Sequence, residues 1–308
     1  MLLWKAVSLA IVIAVQVFSW ASSPETWLFD KGVEKADQSR LVQVYDAGVD
    51  TPQLFRLPVR PETEIDLTAA KYGLVDLHTG YWLSEKEGDQ QHAPASITKL
   101  MTALVVFDEV QDLGTKATVS RKATLVEGKK VDLVAGERFS IDTLLRTLLI
   151  ASGNDSAIVL AEHVGGSVKD FVVLMNEKAQ QLGMQDTVFK NPTGLDEDGH
   201  LSTVRDLSLL ARFFWSNASR AKYSQGSVIT LPGPGNRYVT RRFYSTNELI
   251  NPSSFDLWAA KTGTTDESGE SLIYTAKSED LFSVAILLDS ESRFAEAAKL
   301  LNWGFQAN

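Results

Sequence analysis

Ser96-Ile97-Thr98-Lys99 is the stretch of sequence that decides the fold, because a long apolar run follows directly from it. The run from Ile97 to Val110 predicts a buried helix, opened by Pro94-Ala95-Ser96. A serine and a lysine at this spacing lie on the same face of a helix. A serine hydroxyl is a poor nucleophile at neutral pH, and Lys99 can supply the base that it needs. The N–H groups and dipole of the first turn favour a developing oxyanion at Ser96.

Lys99 can act as a base only if its pKa is lowered, since a lysine ordinarily carries a proton at pH 7. Burial would lower the pKa, and so would a second cation nearby, for which Lys261 is the candidate. The same spacing recurs at Ser219-Arg220-Ala221-Lys222, where no long apolar run follows, and we interpret that copy as a chance match. The alternative for Ser96 itself is a helix N-cap beside a solvated lysine.

A second motif, Ser152-Gly153-Asn154, separates two apolar helical segments. Asn154 there can bind a substrate amide or orient Lys99, and Ser152 can relay a proton toward a leaving group. The alternative is a plain helix–helix turn, since Ser, Gly and Asn are common turn residues.

A third motif, Lys261-Thr262-Gly263, ends an apolar strand. Its glycine leaves room for a substrate backbone, and its lysine and threonine, with the hydroxyl of Thr264, can bind a carboxylate or carbonyl. The backbone N–H groups of Thr264 and Ser96 would form a two-donor oxyanion hole. The alternative is an edge strand protected by a lysine. Because the three motifs occur in order and each in a suitable context, we interpret them together as a serine acyl-transfer site.

Strand patterns occur at both ends of the regular part of the chain and helical patterns lie between them. This order predicts an α+β fold in which strands from both termini form one antiparallel sheet, with the helices inserted. The predicted helices, besides the first, are Ile141–Ile150, Asp155–His163, Lys169–Leu182, Thr203–Trp215 and Ser292–Trp303, and the predicted strands are Ala70–Leu77, Tyr81–Leu83, Leu257–Gly263, Leu272–Ala276 and Phe282–Leu288.

The first residues predict an export signal. A short basic start, residues 1–5, precedes an apolar run of about fifteen residues, shorter than the roughly 20 needed to span a bilayer. Residues 1–21 are thus predicted as a signal peptide, with an uncleaved anchor as the alternative. Residues 22–64 are interpreted as an N-terminal arm or linker, and residues 65–308 as the catalytic domain. We expect an exported protein, periplasmic or extracytoplasmic in a bacterium, with no stable membrane anchor after cleavage.

Charge and cysteine content exclude several function classes. The net charge of −9 and the pI near 5.1 argue against a nucleic-acid partner, whose phosphates would be repelled. The chain contains no cysteine, which excludes thiol catalysis and zinc–cysteine sites.

The three motifs and their flanks resemble those of the low-molecular-mass penicillin-binding proteins, the D-alanyl-D-alanine carboxypeptidase and endopeptidase family. The resemblance covers roughly residues 66–305. The matching segments are Pro94-Ala95-Ser96-Ile97-Thr98-Lys99-Leu100-Met101-Thr102, Ser152-Gly153-Asn154-Asp155, Asn191-Pro192-Thr193-Gly194-Leu195, His200-Leu201-Ser202-Thr203, Asp206-Leu207 and Lys261-Thr262-Gly263-Thr264-Thr265-Asp266.

The resemblance implies a penicillin-binding and β-lactamase-like transpeptidase fold, with a five-stranded antiparallel sheet and a helical lobe. It implies a serine D,D-peptidase that cleaves peptidoglycan stem peptides and is acylated by β-lactams such as penicillin. No metal or cofactor is implied, and the histidines are interpreted as structural. The implied catalytic residues are Ser96 as nucleophile, Lys99 as general base, and Ser152 and Asn154 in the proton network, and the implied substrate-binding residues are Lys261, Thr262, Gly263 and Thr264.

Two departures from the family's pattern bear on the scissile bond. No C-terminal β-domain with an anchor follows, so the chain resembles the short members, some of which cut cross-links. Carboxypeptidase-type members often have an arginine at the position of Thr246, whereas Arg241 and Arg242 are displaced from it. Both departures favour an endopeptidase and leave a carboxypeptidase open.

Two further functions compete with a peptidase. One is a catalytically silent peptidoglycan-binding protein, against which the three intact motifs argue. The second is a β-lactamase, for which Glu197 lies near the appropriate loop but lacks the expected asparagine four residues later.

Overall fold

Strands occupy the two ends of the described chain, and most of the helices lie between them. The computed structural model describes residues 42–44, 53–55, 65–234, 236–248, 255–278 and 281–306. The strands are β1 (Val42–Val44), β2 (Gln53–Phe55), β3 (Lys71–Asp76), β4 (Trp82–Lys86), β5 (Lys116–Thr118), β6 (Arg138–Ser140), β7 (Val228–Gly233), β8 (Asn236–Tyr244), β9 (Asp256–Thr265), β10 (Gly269–Ser278) and β11 (Leu281–Ser290). The helices are α1 (Lys99–Glu109), α2 (Arg121–Thr124), α3 (Ile141–Leu149), α4 (Asn154–Gly165), α5 (Val168–Gln181), α6 (Val204–Trp215), α7 (Ala218–Ala221) and α8 (Arg293–Gln306).

The central sheet is antiparallel and has five strands in the order β4-β3-β11-β10-β9. It joins strands from both ends of the described chain, because β11 pairs with β3. The predicted antiparallel sheet with inserted helices is therefore confirmed. β9 and β11 both run antiparallel to β10, so they are parallel to each other and their carboxyl-terminal ends lie at the same end of the sheet.

Alternate side chains of β11 belong to two separate apolar cores, one on each face of the sheet. Val284 and Ile286 join the larger core, which includes residues of α1, α3, α4 and α6. Ala285 and Leu287 join the smaller core, in which α8 buries Leu300 and other residues of its predicted apolar face. Each fully buried leucine of this kind contributes about 1.5–3 kcal/mol.

Three short strand pairs were not predicted: β1 with β2, β5 with β6, and β7 with β8. The predicted signal peptide, residues 1–21, lies outside the described residues, as does most of the predicted arm, residues 22–64. Among the helices in the described part of the chain, none combines the length and the apolar composition that crossing a bilayer requires.

Candidate active site

Ser96 lies in a short 3-10 helix, Ala95–Thr98, that leads directly into α1. The sequence predicted one continuous helix from Ile97, and the structure differs because Ala95 has a positive φ of 45°. The Nζ atom of Lys99 donates a hydrogen bond to Ser96 Oγ at 2.8 Å, so the predicted serine–lysine pair is confirmed as a contact. By contrast, Ser219 and Lys222 of the second copy are both exposed.

Lys99 is completely buried, with an exposed fraction of 0%. Its Nζ atom also donates to the carbonyl oxygen of Thr193 at 2.5 Å. Burial lowers the pKa of Lys99 to about 7; the carboxylate of Asp155 opposes this shift and the cation of Lys129 adds to it. A large fraction of Lys99 is therefore neutral at pH 7, as a general base requires. The sequence did not identify Lys129 as a cation near Lys99. The predicted neighbour Lys261 also interacts with Lys99, since the charge of Lys99 lowers the pKa of Lys261.

Two glycines allow other segments to approach the backbone beside Ser96. A Cβ atom on Gly194 would overlap the carbonyl oxygen of Ala95, and Gly194 has a φ of +80°, which disfavours other residues. A Cβ atom on Gly263 would lie 3.0 Å from the Cβ of Ala95 and 3.3 Å from the backbone nitrogen of Ser96. The third motif and the Asn191–Leu195 loop thus both pack directly against the nucleophile's backbone.

The second and third motifs meet through Ser152 and Lys261. Lys261 is 1% exposed, and its Nζ atom donates to Ser152 Oγ at 3.0 Å and to the carbonyl oxygen of Thr262 at 2.8 Å. Burial lowers its pKa well below the ordinary value, and the cations of Lys99, Lys129 and Arg293 lower it further. The site thus contains a second buried serine–lysine pair next to the first.

Asn154 begins α4, and its amide is committed to the neighbouring loop. Its Nδ2 atom donates to the carbonyl oxygen of Glu127 at 2.7 Å, while its Oδ1 atom is buried without a hydrogen-bond partner. Within the described residues, no hydrogen bond joins Asn154 to Lys99, so the suggestion that it orients this lysine is not supported. The unpaired oxygen instead leaves an acceptor for the N–H of a bound substrate.

The end of β9 contributes two threonines to the site and forms hydrogen bonds with an arginine. Thr262 donates its hydroxyl to the hydroxyl of Thr246 at 2.5 Å. Arg293, at the start of α8, donates to the Gly263 carbonyl oxygen at 2.8 Å and to the Thr264 hydroxyl at 2.6 Å. Its side chain is 13% exposed and is 3.8 Å from a carboxylate oxygen of Glu270. A guanidinium thus stands beside the hydroxyl that was expected to bind a carboxylate.

Arg241 is engaged elsewhere: it donates to the carbonyl oxygens of Pro232 and Asp132 and to the carboxylate of Glu137. The comparison with the family's pattern considered only the arginines near Thr246 in the sequence, and Arg293 was not among them. The topology could have identified Arg293 as a site residue, since it closely follows β11, whose carboxyl-terminal end lies beside that of β9 at the same end of the sheet. No comparable signal identified Lys129, which lies in a loop with no periodic pattern.

The arrangement has the parts of an acyl-transfer site. Ser96 has within hydrogen-bond distance a lysine that is partly neutral at pH 7, Ser152 is paired with a second lysine, and Asn154 offers an acceptor with no partner among the described residues. The N–H of Ser96 lies in a first helical turn, where N–H groups lack an intrahelical acceptor. No step of such a reaction requires a group other than these side chains and water.

Known proteins with similar sequences belong to the family that the motifs indicate. The family model described as D-alanyl-D-alanine carboxypeptidase, peptidase family S11, matches residues 58–292. The D-alanyl-D-alanine carboxypeptidase DacF of Bacillus subtilis is 32% identical over 75% of this chain and 61% of its own length. The D-alanyl-D-alanine endopeptidase of Escherichia coli is 30% identical over 75% of each chain.

Comparison with solved structures indicates the same family. A crystal structure of a D-alanyl-D-alanine carboxypeptidase from Mycobacterium tuberculosis superposes with a TM-score of 0.74 at 27% identity, over 80% of this chain and 94% of that one. The chain spans about three fifths of the length of the first curated relatives that it matches. The predicted penicillin-binding fold is confirmed, and since the family model matches most of the chain, the protein belongs to the D-alanyl-D-alanine carboxypeptidase family, peptidase family S11.

Proposed function

We propose that the protein is a serine D,D-peptidase that cleaves peptidoglycan stem peptides through an acyl-enzyme on Ser96. The observation that supports this most directly is the 2.8 Å contact between Ser96 Oγ and a buried lysine with a pKa of about 7. Neutral Lys99 takes the hydroxyl proton as Oγ attacks the carbonyl carbon of the scissile amide. The amide nitrogen leaves as an amine after gaining the proton that Lys99 took from Ser96, and we propose that this proton passes through the pair of Ser152 and Lys261, so that Lys99 is neutral again. Water then releases the acyl group and restores the Ser96 hydroxyl.

The backbone N–H groups of Ser96 and Thr264 are the proposed donors to the tetrahedral oxyanion. The support is the close packing of Gly263 against the Ser96 backbone nitrogen, which brings the end of β9 beside the nucleophile. The free Asn154 oxygen is the proposed acceptor for a substrate N–H. Oriented donors of this kind typically lower a barrier by about 3–4 kcal/mol.

Covalent labelling by penicillin tests the proposal. We expect one penicilloyl adduct on the wild-type protein, located by mass spectrometry on the peptide that contains Ser96. Ser96→Ala should abolish the adduct, whereas Ser219→Ala, in the exposed second copy, should keep it. A wild type without an adduct contradicts the proposal and favours a catalytically silent binding protein. Rapid turnover of penicillin would favour a β-lactamase, but Glu197 is exposed and accepts a hydrogen bond from Asn191.

Arg293 favours carboxypeptidase activity over the endopeptidase activity that the sequence favoured. A terminal D-alanine has a free carboxylate, and a guanidinium next to a threonine hydroxyl suits such a group. In the present structure Arg293 already donates to Thr264 Oγ1 at 2.6 Å. We therefore propose that the terminal carboxylate binds at Thr262, Thr264 and Arg293.

Two substrates separate these activities. A pentapeptide ending in D-Ala-D-Ala and a cross-linked dimer are incubated separately, and the products are weighed. We expect the pentapeptide to be cleaved with the higher kcat/KM, and Arg293→Gln to lower that value about tenfold or more, chiefly through KM. The control, Arg242→Gln, removes an exposed arginine on β8 and should have little effect. Preferential cleavage of the dimer, unaffected by Arg293→Gln, would instead establish an endopeptidase.

The proposed location is outside the cytoplasmic membrane of a bacterium, where peptidoglycan is found. The basic and apolar first residues support export. Mass spectrometry of the protein recovered from culture fractions of a producing bacterium tests this: an N-terminus at or near residue 22 is expected. Retention of Met1 in a cytoplasmic fraction contradicts it.

A further inference from the structure

Lys129 lies in a loop whose backbone is fixed to the start of α4. Its carbonyl oxygen accepts a hydrogen bond from the backbone nitrogen of Asn154 at 2.7 Å. Two residues before it, the carbonyl oxygen of Glu127 accepts from Asn154 Nδ2, and two residues after it, Val131 N donates to the carboxylate of Asp155. Lys129 is therefore held beside the second motif by bonds on both sides.

Lys129 is an exposed residue, although partial burial lowers the pKa of its ammonium. The ammonium forms no hydrogen bond or ion pair with any residue in the described part of the chain, and no acidic residue acts on its pKa. The next residue behaves differently, since Lys130 donates its ammonium to the carbonyl oxygen of Thr124. Lys129 thus has a fixed backbone and a free charge.

The position of this charge is electrostatically unfavourable when the site is empty. The field of Lys129 acts on both catalytic lysines, Lys99 and Lys261, and Arg293 in turn acts on Lys129. Lys129 and Arg293 repel each other, and both disfavour the protonated form of Lys261, in a chain whose net charge is −9. An anion bound between these groups would offset the repulsion.

One substrate carboxylate already has a place on the strand side, at Thr264 and Arg293. Lys129 is bonded through its backbone to Asn154, whose free oxygen is the proposed acceptor for an N–H of the acyl portion of the substrate. A carboxylate that meets Lys129 therefore belongs to the acyl portion rather than to the leaving group.

We propose that Lys129 is a specificity-determining residue that binds a second carboxylate of the substrate, borne by a residue on the acyl side of the scissile bond. The inference rests on the proposed peptidase function and narrows its substrate class to peptides with a free acid upstream of D-Ala-D-Ala. An amide in place of that acid cannot form the ion pair and is the poorer substrate.

Two matched peptides test the inference. Both are acetylated and end in D-Ala-D-Ala, and the preceding residue is glutamate in one and glutamine in the other. We expect the wild-type enzyme to have a kcat/KM about threefold to tenfold higher for the glutamate peptide. Lys129→Gln should bring the ratio to about one, and Lys129→Glu should reverse it. Any change in the pKa of Lys99 affects both peptides equally and cancels in the ratio.

Lys130→Gln is the control, because it removes the adjacent ammonium and should leave the wild-type ratio unchanged. A wild type that cleaves the glutamine peptide with a ratio of one overturns the inference and leaves the proposed function standing. The same holds if Lys129→Gln retains the wild-type ratio. A wild type that cleaves neither peptide overturns the inference, and it overturns the proposed function as well if penicillin also leaves no adduct on Ser96.

Discussion

Lys99 is the residue whose surroundings set the pH dependence of the proposed acylation. Burial lowers its pKa to about 7, and only its neutral form accepts the Ser96 proton. The acylation rate by penicillin should therefore rise with pH through an apparent pKa near 7 and at pH 6 reach about one tenth of its plateau. Stopped-flow measurement of acylation between pH 5 and pH 9 checks this.

Lys129→Gln sharpens the same prediction, because the cation of Lys129 disfavours the protonated form of Lys99. Without that cation the pKa of Lys99 rises, so the acylation curve should move to higher pH while its plateau stays similar. Lys130→Gln serves as the reference curve. A profile that does not change between pH 5 and pH 9 contradicts the role of Lys99 as base.

At the residue scale, the sequence predicted the contact between the proposed nucleophile and the proposed base, but not the cations that surround them. Ser96 and Lys99 are adjacent on one turn, so their spacing alone predicted their contact. The effect of Lys129 depends on a loop held against Asn154, and that of Arg293 depends on the order of the strands. Neither relation exists between neighbours in the sequence.

Asp155 connects two elements, since its carboxylate at the start of α4 accepts hydrogen bonds from a loop far behind it in the chain. The donors in this loop are the backbone nitrogens of Val131 at 3.1 Å and Leu133 at 3.0 Å. The backbone nitrogen of Ser156, the next residue in α4, also donates at 2.9 Å. Asp155→Asn keeps the shape but turns one acceptor oxygen into a donor, which leaves a buried N–H unpaired. We expect a loss of about 1–3 kcal/mol in the free energy of unfolding, measured with urea.

A matched control exists on the next helix. Asp170 occupies the corresponding first turn of α5, where it is exposed and, among the described residues, bonded only to its local cap, Ser167. Asp170→Asn should cost less than about 1 kcal/mol. Equal losses for the two variants would show that the loop contacts of Asp155 contribute nothing beyond helix capping.

The elements that the sequence predicted well have a strong period, and those that it missed are short or interrupted. Helix α6 begins where predicted, with Thr203 as its N-cap, whose hydroxyl accepts from the backbone nitrogen of Asp206 at 3.1 Å. In β7 the side chains alternate between exposed and buried. The strand was not predicted because it contains Pro232 and Gly233, two residue types that are disfavoured within strands. β5 and β6 have three residues each, too few to establish a period.

For the molecule as a whole, the sheet is built from strands that are far apart in the sequence, and it brings the three motifs to one site. The sequence predicted this topology from the order of its strands and helices. It did not predict that Lys129 and Arg293 join the predicted Lys99 and Lys261 near Ser96, in a chain with a net charge of −9. That concentration of charge is consistent with an anionic substrate.

His200 makes the stability of the whole molecule depend on pH. Its Nδ1 atom accepts from the backbone nitrogen of Lys190, and its Nε2 atom lies 2.9 Å from the hydroxyl of Thr98 at the start of the nucleophile helix. Burial lowers its pKa from 6.5 to about 4. A group with a lowered folded-state pKa stabilises the fold above its unfolded pKa, and this stability is lost as pH falls toward the folded value. The shift corresponds to about 3 kcal/mol between pH 6.5 and pH 4.

Asp206 acts in the opposite direction over the same interval. Burial raises its pKa to about 6, so its contribution to the free energy of unfolding is present below pH 4 and is lost as pH rises through 6.

Urea unfolding of the wild type, His200→Asn and Asp206→Asn between pH 4 and pH 7 separates the contributions of the two groups. Relative to the wild type, His200→Asn should lose less stability on acidification, because it removes the group that must be protonated on unfolding. Asp206→Asn should lose more, since it leaves His200 unopposed. Parallel curves for all three proteins would show that neither buried group has the altered pKa on which the argument depends.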